Sequence, residues 1–456
     1  MKKLLVLFLA LVMSLSAFSL FGCGEPEVPD NGGNEPENPP LEDVVEGTEG
    51  LKYSVLGTGE EQYAVFTGID NSCTEKDIVV ASHYKGVKVT EIGLGAYAIS
   101  NKNKIESIKI HKYVKVINSS AFNKAANLVK IEFDKDCELE TIGSYAFKGC
   151  AKLESFSYSG NINAFGDSVF DDCPSLKTTE YKGAKYIGSD INPYLILMAG
   201  IDEETCVINK DCQVIYSSAF TGYKNLKSVT FESNNTLASI GSYAFKESNI
   251  KEIVIPETVV NIGMEAFMHC NNLVRITFSE NSKCKIISQS AFRECENLED
   301  IKNFGKTKLE IIDEFLIFQC PKITYIDIPA SARIIRRDIM RNCYSLKTVN
   351  IPRDSVLEEI QEQAFRKTKL EKLLIPKTVI TIRWDICAWN NPRTKIFCDA
   401  EQEKPGWMLN RWKAYNSGAV QGNPDPSPDL FCPVYLYSYS PKAGCWRWVG
   451  DEPTPW

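Results

Sequence analysis

Ile240-Gly-Ser-Tyr-Ala-Phe-Lys-Glu-Ser-Asn-Ile-Lys-Glu-Ile-Val-Ile-Pro-Glu-Thr-Val-Val-Asn-Ile262 is the stretch that decides how this chain folds. Written as I-G-x-x-A-F-x-x-[CS]-x-x-[LI]-x-x-I-x-I-P-x-x-V-x-x-I, it recurs along most of the sequence. Its phenylalanine, or a substitute, falls at Tyr97, Phe122, Phe147, Phe170, Phe220, Phe245, Phe267, Phe292, Ile317, Met340, Phe365 and Cys387. The steps are 22, 23 or 25 residues, except for one double step of 50 between Phe170 and Phe220. A fixed period of that length marks units too small to bury their own apolar faces, so neighbours must stack into a continuous core. The chain is therefore read as a solenoid with contacts between near neighbours only.

Within a repeat, Ala and Phe, with Cys or Ser three residues after the Phe, suit a short helical turn whose small residue permits close approach. The L-x-x-I-x-I that follows ends in the period-two alternation of a half-buried strand. Proline after it, at Pro256, Pro329, Pro352 and Pro376, fits a strand end where no ladder donor is needed. V-x-x-I then gives a second short extended segment.

These residues resemble the BspA-type leucine-rich repeats, a bacterial cell-surface subclass also called the leucine-rich repeat 5 family, over roughly residues 78–398. The resemblance implies an α/β leucine-rich repeat solenoid, a curved right-handed superhelix of about twelve units with the L-x-x-I-x-I strands stacked along one face. Residues 51–91 read as an N-terminal cap, 92–398 as the solenoid and 399–456 as an aromatic-rich C-terminal cap. All seven tryptophans lie beyond residue 383, at Trp384, Trp389, Trp407, Trp412, Trp446, Trp448 and Trp456. In the double step, Tyr186 to Met198 has strand-like ends around Asn192-Pro193, which predicts a β-hairpin replacing one helical segment.

Residues 1–22 carry Lys2 and Lys3 and then an apolar run, the pattern of an export signal. Leu20-Phe21-Gly22-Cys23 resembles the lipobox of bacterial lipoproteins, which implies cleavage before Cys23 and lipid attachment at its sulfur. Multiple acyl chains anchor a protein stably, and no later stretch has the ~18 continuous apolar residues of a membrane span. Residues 23–50 follow as an acidic tether with almost nothing to bury. The expected location is extracytoplasmic, lipid-anchored to the bacterial cell surface.

The 456 residues carry a formal charge of −8. Nine acids and no base lie in residues 24–50, so the repeats themselves are nearly neutral. That balance lacks the basic footprint of phosphate-backbone binding and argues against nucleic acid as a partner.

Sixteen cysteines invite a disulfide reading. Cys150, Cys173, Cys270, Cys295, Cys320 and Cys343 share one template position, about one strand spacing apart, with Cβ vectors expected in parallel. They read as a buried ladder of free thiols. Cys206 with Cys212, and Cys432 with Cys445, are the more plausible bridges. Of the three histidines, His83, His111 and His269, only His269 adjoins a cysteine, Cys270, and adjacent turn residues diverge. No nucleophile, metal or phosphate motif is present, so neither an enzyme nor a cofactor is expected.

The candidate binding surface is the outward central position of each L-x-x-I-x-I strand: Lys109, Glu132, Ser157, Glu180, Thr230, Val254, Thr277, Lys302, Asp327, Asn350 and Leu374. Two bases and three acids give no single-sign groove. Extended solenoid surfaces hold partners, and the family resemblance implies adhesion to a host matrix or cell-surface protein, or to other bacteria. Glycan capture by the tryptophan-rich end is the alternative. Aromatics turned inward would make that end a cap, and aromatics exposed in a line would make it a sugar platform.

Overall fold

The computed structural model describes residues 44–402, 404–407, 434–438, 445–449 and 452–455. Each repeat makes one circuit of a β-solenoid of about fifteen turns. The strand Glu252–Ile255 shows how the sequence drives the circuit: Ile253 and Ile255 are buried while Glu252 and Val254 face out. After Pro256 the chain turns, buries Val259, and makes the two-residue strand Asn261–Ile262 with Ile262 inward.

Both strands pair in parallel with their equivalents, Ile253 with Ile276 and Val254 with Thr277 on the long strands, Ile240 with Ile262 and Ile262 with Ile287 on the short ones. In-register parallel pairing sets equal template positions ~4.8 Å apart. Each inward isoleucine therefore lies against the isoleucine of the next repeat.

The Ala-Phe segment departs from the short helical turn expected of it. The described residues contain no α-helix and only three single-turn 3-10 segments. Two positions flanking each core residue adopt left-handed backbone instead, such as Tyr243 and Glu247 (φ 60° and 59°) around Phe245, or Ser290 and Glu294 around Phe292. The cause lies in where the N–H groups go. Tyr243, Phe245 and Glu247 donate to the carbonyls of Met264, Ala266 and Met268 in the next repeat at 2.9, 2.7 and 2.9 Å. A helix would turn these donors back into its own segment, whereas alternating left-handed residues aim them along the stack. A left-handed non-glycine residue costs about 1–2 kcal/mol. Three inter-repeat bonds, each contributing about 0.5–1.5 kcal/mol, offset that. A third ladder thus runs down the turn side.

The shared interior is a column of rings. Phe122 to Phe147 and Phe147 to Phe170 stack at 5.2 and 5.5 Å, then Phe220 to Phe245 and Phe245 to Phe267 at 4.7 and 4.9 Å. Phe292, Ile317, Met340, Phe365 and Cys387 continue it, all buried. Tyr97, expected to begin the series, is 78% exposed. Ile99 takes its place: its N–H donates to the Ala121 carbonyl as that of Phe122 donates to Ala146. Gly93 and Gly95, both left-handed, lengthen that turn and shift its register by two.

The six ladder cysteines are free thiols, each donating to the carbonyl of the column residue one repeat earlier: Cys270 to Phe245 at 2.9 Å, Cys295 to Phe267 at 3.1 Å, Cys343 to Ile317 at 3.0 Å. Burial pushes the Cys270 thiol up to about 12. Cys206 and Cys212 are also unbridged, and Cys432 lies outside the described residues.

At the double step the stack changes character. Ala184–Ile187 and Ile196–Ala199 form the antiparallel hairpin, and Thr179–Tyr181 adds a third strand to it. The long-strand ladder ends at Ser155–Ser157 and restarts at Thr205–Ile208. The apolar interior divides here into two clusters. Gly200 stands where the column residue would be, its N–H on the Ala219 carbonyl. Side chains bridge the gap. Gln213 accepts from the Ile162 N–H at 2.8 Å and donates to the Gly160 carbonyl at 3.1 Å, while Tyr216 reaches back to residues 170 and 171.

Ahead of the first repeat, Leu51–Leu56 pairs antiparallel with Tyr63–Ile69, which begins the parallel short-strand ladder. After the last, Lys395–Cys398 passes the long ladder to Val434–Tyr437.

Candidate recognition surface

Long strands turn alternate residues outward, so the strand face carries two columns. The central column contains the residues singled out from sequence, and the structure brings them together in four groups. Lys109, Glu132 and Ser157 are successive ladder partners. Thr230 follows Val207, and Val254, Thr277 and Lys302 continue that block. Asp327 pairs with Asn350, whose amide donates to it at 2.7 Å. Leu374 leads to Phe397, which is buried and stacks on Tyr435 at 5.1 Å.

Glu180 does not join the row. It lies in the inserted antiparallel strand opposite Lys185, because the chain leaves the ladder before reaching it.

The second outward column was missed in the sequence, although its signal is only two residues upstream of the first. In the middle block it reads Thr205, Ser228, Glu252, Arg275 and Asp300. Thr205 and Ser228 join through their hydroxyls at 2.9 Å. Arg275 lies between two acids, 3.4 Å from Glu252 and 3.7 Å from Asp300. Beside this chain of charges Val254 is 61% exposed, an aliphatic side chain facing water at the centre of the block.

The neighbouring blocks pair their charges locally. Lys109 meets Asp134 at 3.2 Å, and Lys130 meets Glu132. Tyr325 donates to Asp327, and partial burial, with that carboxylate second, raises the phenol to about 12. Exposed pairs of this kind contribute ~0–1 kcal/mol each, so they order the surface more than they stabilise it. The face is a polar strip of mixed sign with an apolar centre, without the field that steers a polyanion.

His269 points to Glu294 (3.3 Å) while the neighbouring Cys270 thiol is buried against the Phe245 carbonyl, so the pair diverges. Among the described residues no group of three or more His, Cys, Asp or Glu side chains could hold a metal ion.

The described aromatic side chains at the C-terminal end divide. Trp446 is fully buried, donates to the Cys398 carbonyl at 2.8 Å and packs on Phe397 and Tyr437. Trp407 is buried with its N–H on the Val379 carbonyl. Trp384 and Trp389, in the last turn, are 36% and 56% exposed. Trp412, Trp456 and Cys23 lie outside the described residues, as does the side chain of Trp448.

A family model described as "BspA type Leucine rich repeat region" matches residues 88–192, 201–303 and 281–391 in six copies, well over half of the chain. No curated protein matches the sequence. Solved structures that resemble it include a leucine-rich repeat protein from Bacteroides ovatus, 20% identical, covering 72% of this chain and 94% of its own, with a TM-score of 0.31. A leucine-rich cell surface protein from Faecalibacterium prausnitzii is 17% identical, covering 75% and 94%, with a TM-score of 0.29. The pneumococcal vaccine antigen PcpA is 17% identical, covering 78% and 82%, with a TM-score of 0.31.

Proposed function

The chain belongs to the BspA-type leucine-rich repeat family, and from that premise we propose that it is a bacterial cell-surface protein that binds another protein through its strand face. The observation that carries this reading is the middle block, where exposed Val254 sits among hydroxyls and the Glu252, Arg275, Asp300 chain. An apolar centre with a polar, charge-balanced rim is the anatomy of a protein–protein contact. A host matrix or cell-surface protein is the proposed partner, with an adhesive role. Neither catalysis nor a cofactor belongs to this reading.

The proposal includes export and anchoring by lipid at Cys23, with residues 24–43 as tether. The tether expected to run to residue 50 ends there because residues 45–50 are hydrogen-bonded to the folded body, Val45 to Ser82 and Thr48 to Val79. Radiolabelled fatty acid incorporated by the wild type and lost in Cys23→Ala supports the anchor, and unchanged labelling overturns it.

The test of function is a screen of residues 44–456 against arrays of host matrix proteins and of glycans. Saturable binding to a protein, with no glycan retained, is the expected result. Binding to sugars alone contradicts the proposal and favours a glycan-binding role for the exposed Trp384 and Trp389.

A further inference from the structure

The ladder cysteines share one geometry but not one environment. Cys150, Cys270, Cys295, Cys320 and Cys343 are fully buried, each covered by the turn of the following repeat; Cys173 is only partly buried. It sits in the last turn before the double step. The repeat that should cover it has Gly200 in place of a ring, and no backbone hydrogen bond joins residues 166–172 to residues 198–202.

Cys173 also has a partner. Its thiol reaches back to the rung of Cys150: it donates to the Phe147 carbonyl at 3.2 Å, the same oxygen that accepts the Cys150 N–H at 3.1 Å. Their backbones are held side by side by Phe147 N–H on the Val169 carbonyl (3.0 Å) and Gly149 N–H on the Asp171 carbonyl (2.8 Å). Adjacent rungs lie ~4.8 Å apart, inside the Cα separation of about 4.4–6.8 Å that a disulfide tolerates, and the parallel Cβ vectors of the ladder are brought to bonding by side-chain rotation at the partly buried Cys173. We propose that Cys173 is a thiol-modification site with Cys150 as its resolving partner, the pair closing to a disulfide on meeting a small-molecule disulfide.

The order of events follows from the two environments. The Cys150 thiol beside it holds Cys173 below the ordinary thiol range, whereas the Cys173 thiol and then burial push Cys150 up. Cys173, as thiolate, attacks one sulfur of RSSR; a Cys173–S–SR bond forms and RS⁻ leaves. Cys150 then gives up its proton and attacks the Cys173 sulfur, and a second RS⁻ leaves. The two protons from the cysteines end on the two RS⁻ groups. Two electrons have passed from the pair to RSSR, giving one protein disulfide and two RSH. Asp171 and Asp172, which oppose the Cys173 thiolate, set the limit on its acidity.

Cys295 and Cys320 provide an internal control, since Cys320 reaches back to the Phe292 carbonyl at 3.1 Å as Cys173 does to that of Phe147, but both are sealed. The native chain would be incubated with oxidised glutathione, quenched by alkylation in denaturant, and mapped by peptide mass. The expected result is a Cys150–Cys173 disulfide formed at least about tenfold faster than any product at Cys295 or Cys320, as access and thiolate fraction dictate. Cys150→Ala should stop at a persistent mixed disulfide on Cys173. If that variant does not fold, the wild-type rates decide alone. Equal rates at the two pairs, or a mixed disulfide on wild-type Cys173 that never resolves onto Cys150, overturns the assignment.

Discussion

The backbone N–H of Phe170 donates to the phenolic oxygen of Tyr216 at 2.7 Å, across forty-six positions of sequence. The same hydroxyl donates to an Asp171 carboxylate oxygen at 2.9 Å. Elsewhere in the stack the N–H of a column residue meets a carbonyl of the next repeat. Here that repeat is cut short, and a side chain two rungs away takes over the acceptor's place.

Tyr216→Phe keeps the ring and removes only the oxygen. It leaves the buried Phe170 N–H without an acceptor, at a cost of about 1–3 kcal/mol. Both residues belong to the N-terminal apolar cluster, which reaches past the double step as far as Tyr216, so the loss should loosen the far edge of that cluster. The midpoint of chemical denaturation is expected to fall below that of the wild type. A transition unchanged in midpoint and slope contradicts the bridging role.

Gly200→Ala tests the other side of the same joint. A Cβ there would lie 1.9 Å from an edge carbon of Phe220, whose ring is fixed by stacking on Phe245. Overpacking of that kind costs about 1–3 kcal/mol. Urea denaturation should show the loss, and an unshifted midpoint would mean that Phe220 does not cover Gly200.

Acid should weaken the N-terminal repeats through His111. Its ring is buried, and its Nδ1 accepts from the Tyr113 N–H at 3.2 Å, which requires the unprotonated atom. Burial lowers it to about 4, with the nearby Asp134 opposing and His83 reinforcing the shift. A base depressed in the folded state binds its proton more readily when unfolded. Its stabilising effect is therefore complete above ~6.5 and lost as pH falls from ~6.5 to ~4, about 3 kcal/mol in all. His111→Asn, which keeps an acceptor, should flatten this part of the stability–pH curve measured by denaturation. A variant curve parallel to the wild type would refute the assignment.

The period of the Ala-Phe pairs made the stack legible, because equal spacing forces equal positions into register. The inward Ile253 and Ile255 and the outward Val254 were likewise written in their alternation. The turn conformation was not: Tyr243 and Glu247 have no intrinsic preference for left-handed backbone and adopt it to reach Met264 and Met268. Tyr97 misled because two glycines changed the register locally. Glu180 matched the template by counting, yet the strand that carries it pairs with Ala184–Ile187 instead of the row. Tyr216 was invisible as a bridge, since its role depends on a repeat that is missing.

The most direct test of the binding proposal compares two faces of one molecule. Val254→Asp with Lys302→Glu alters the strand face, and Tyr145→Asp with Lys367→Glu alters the turn side. With the protein found by the screen, the account predicts that the first pair weakens binding at least tenfold, about 1.4 kcal/mol, while the second leaves the Kd unchanged. Loss of binding in the turn-side pair, with the strand-face pair unaffected, contradicts it.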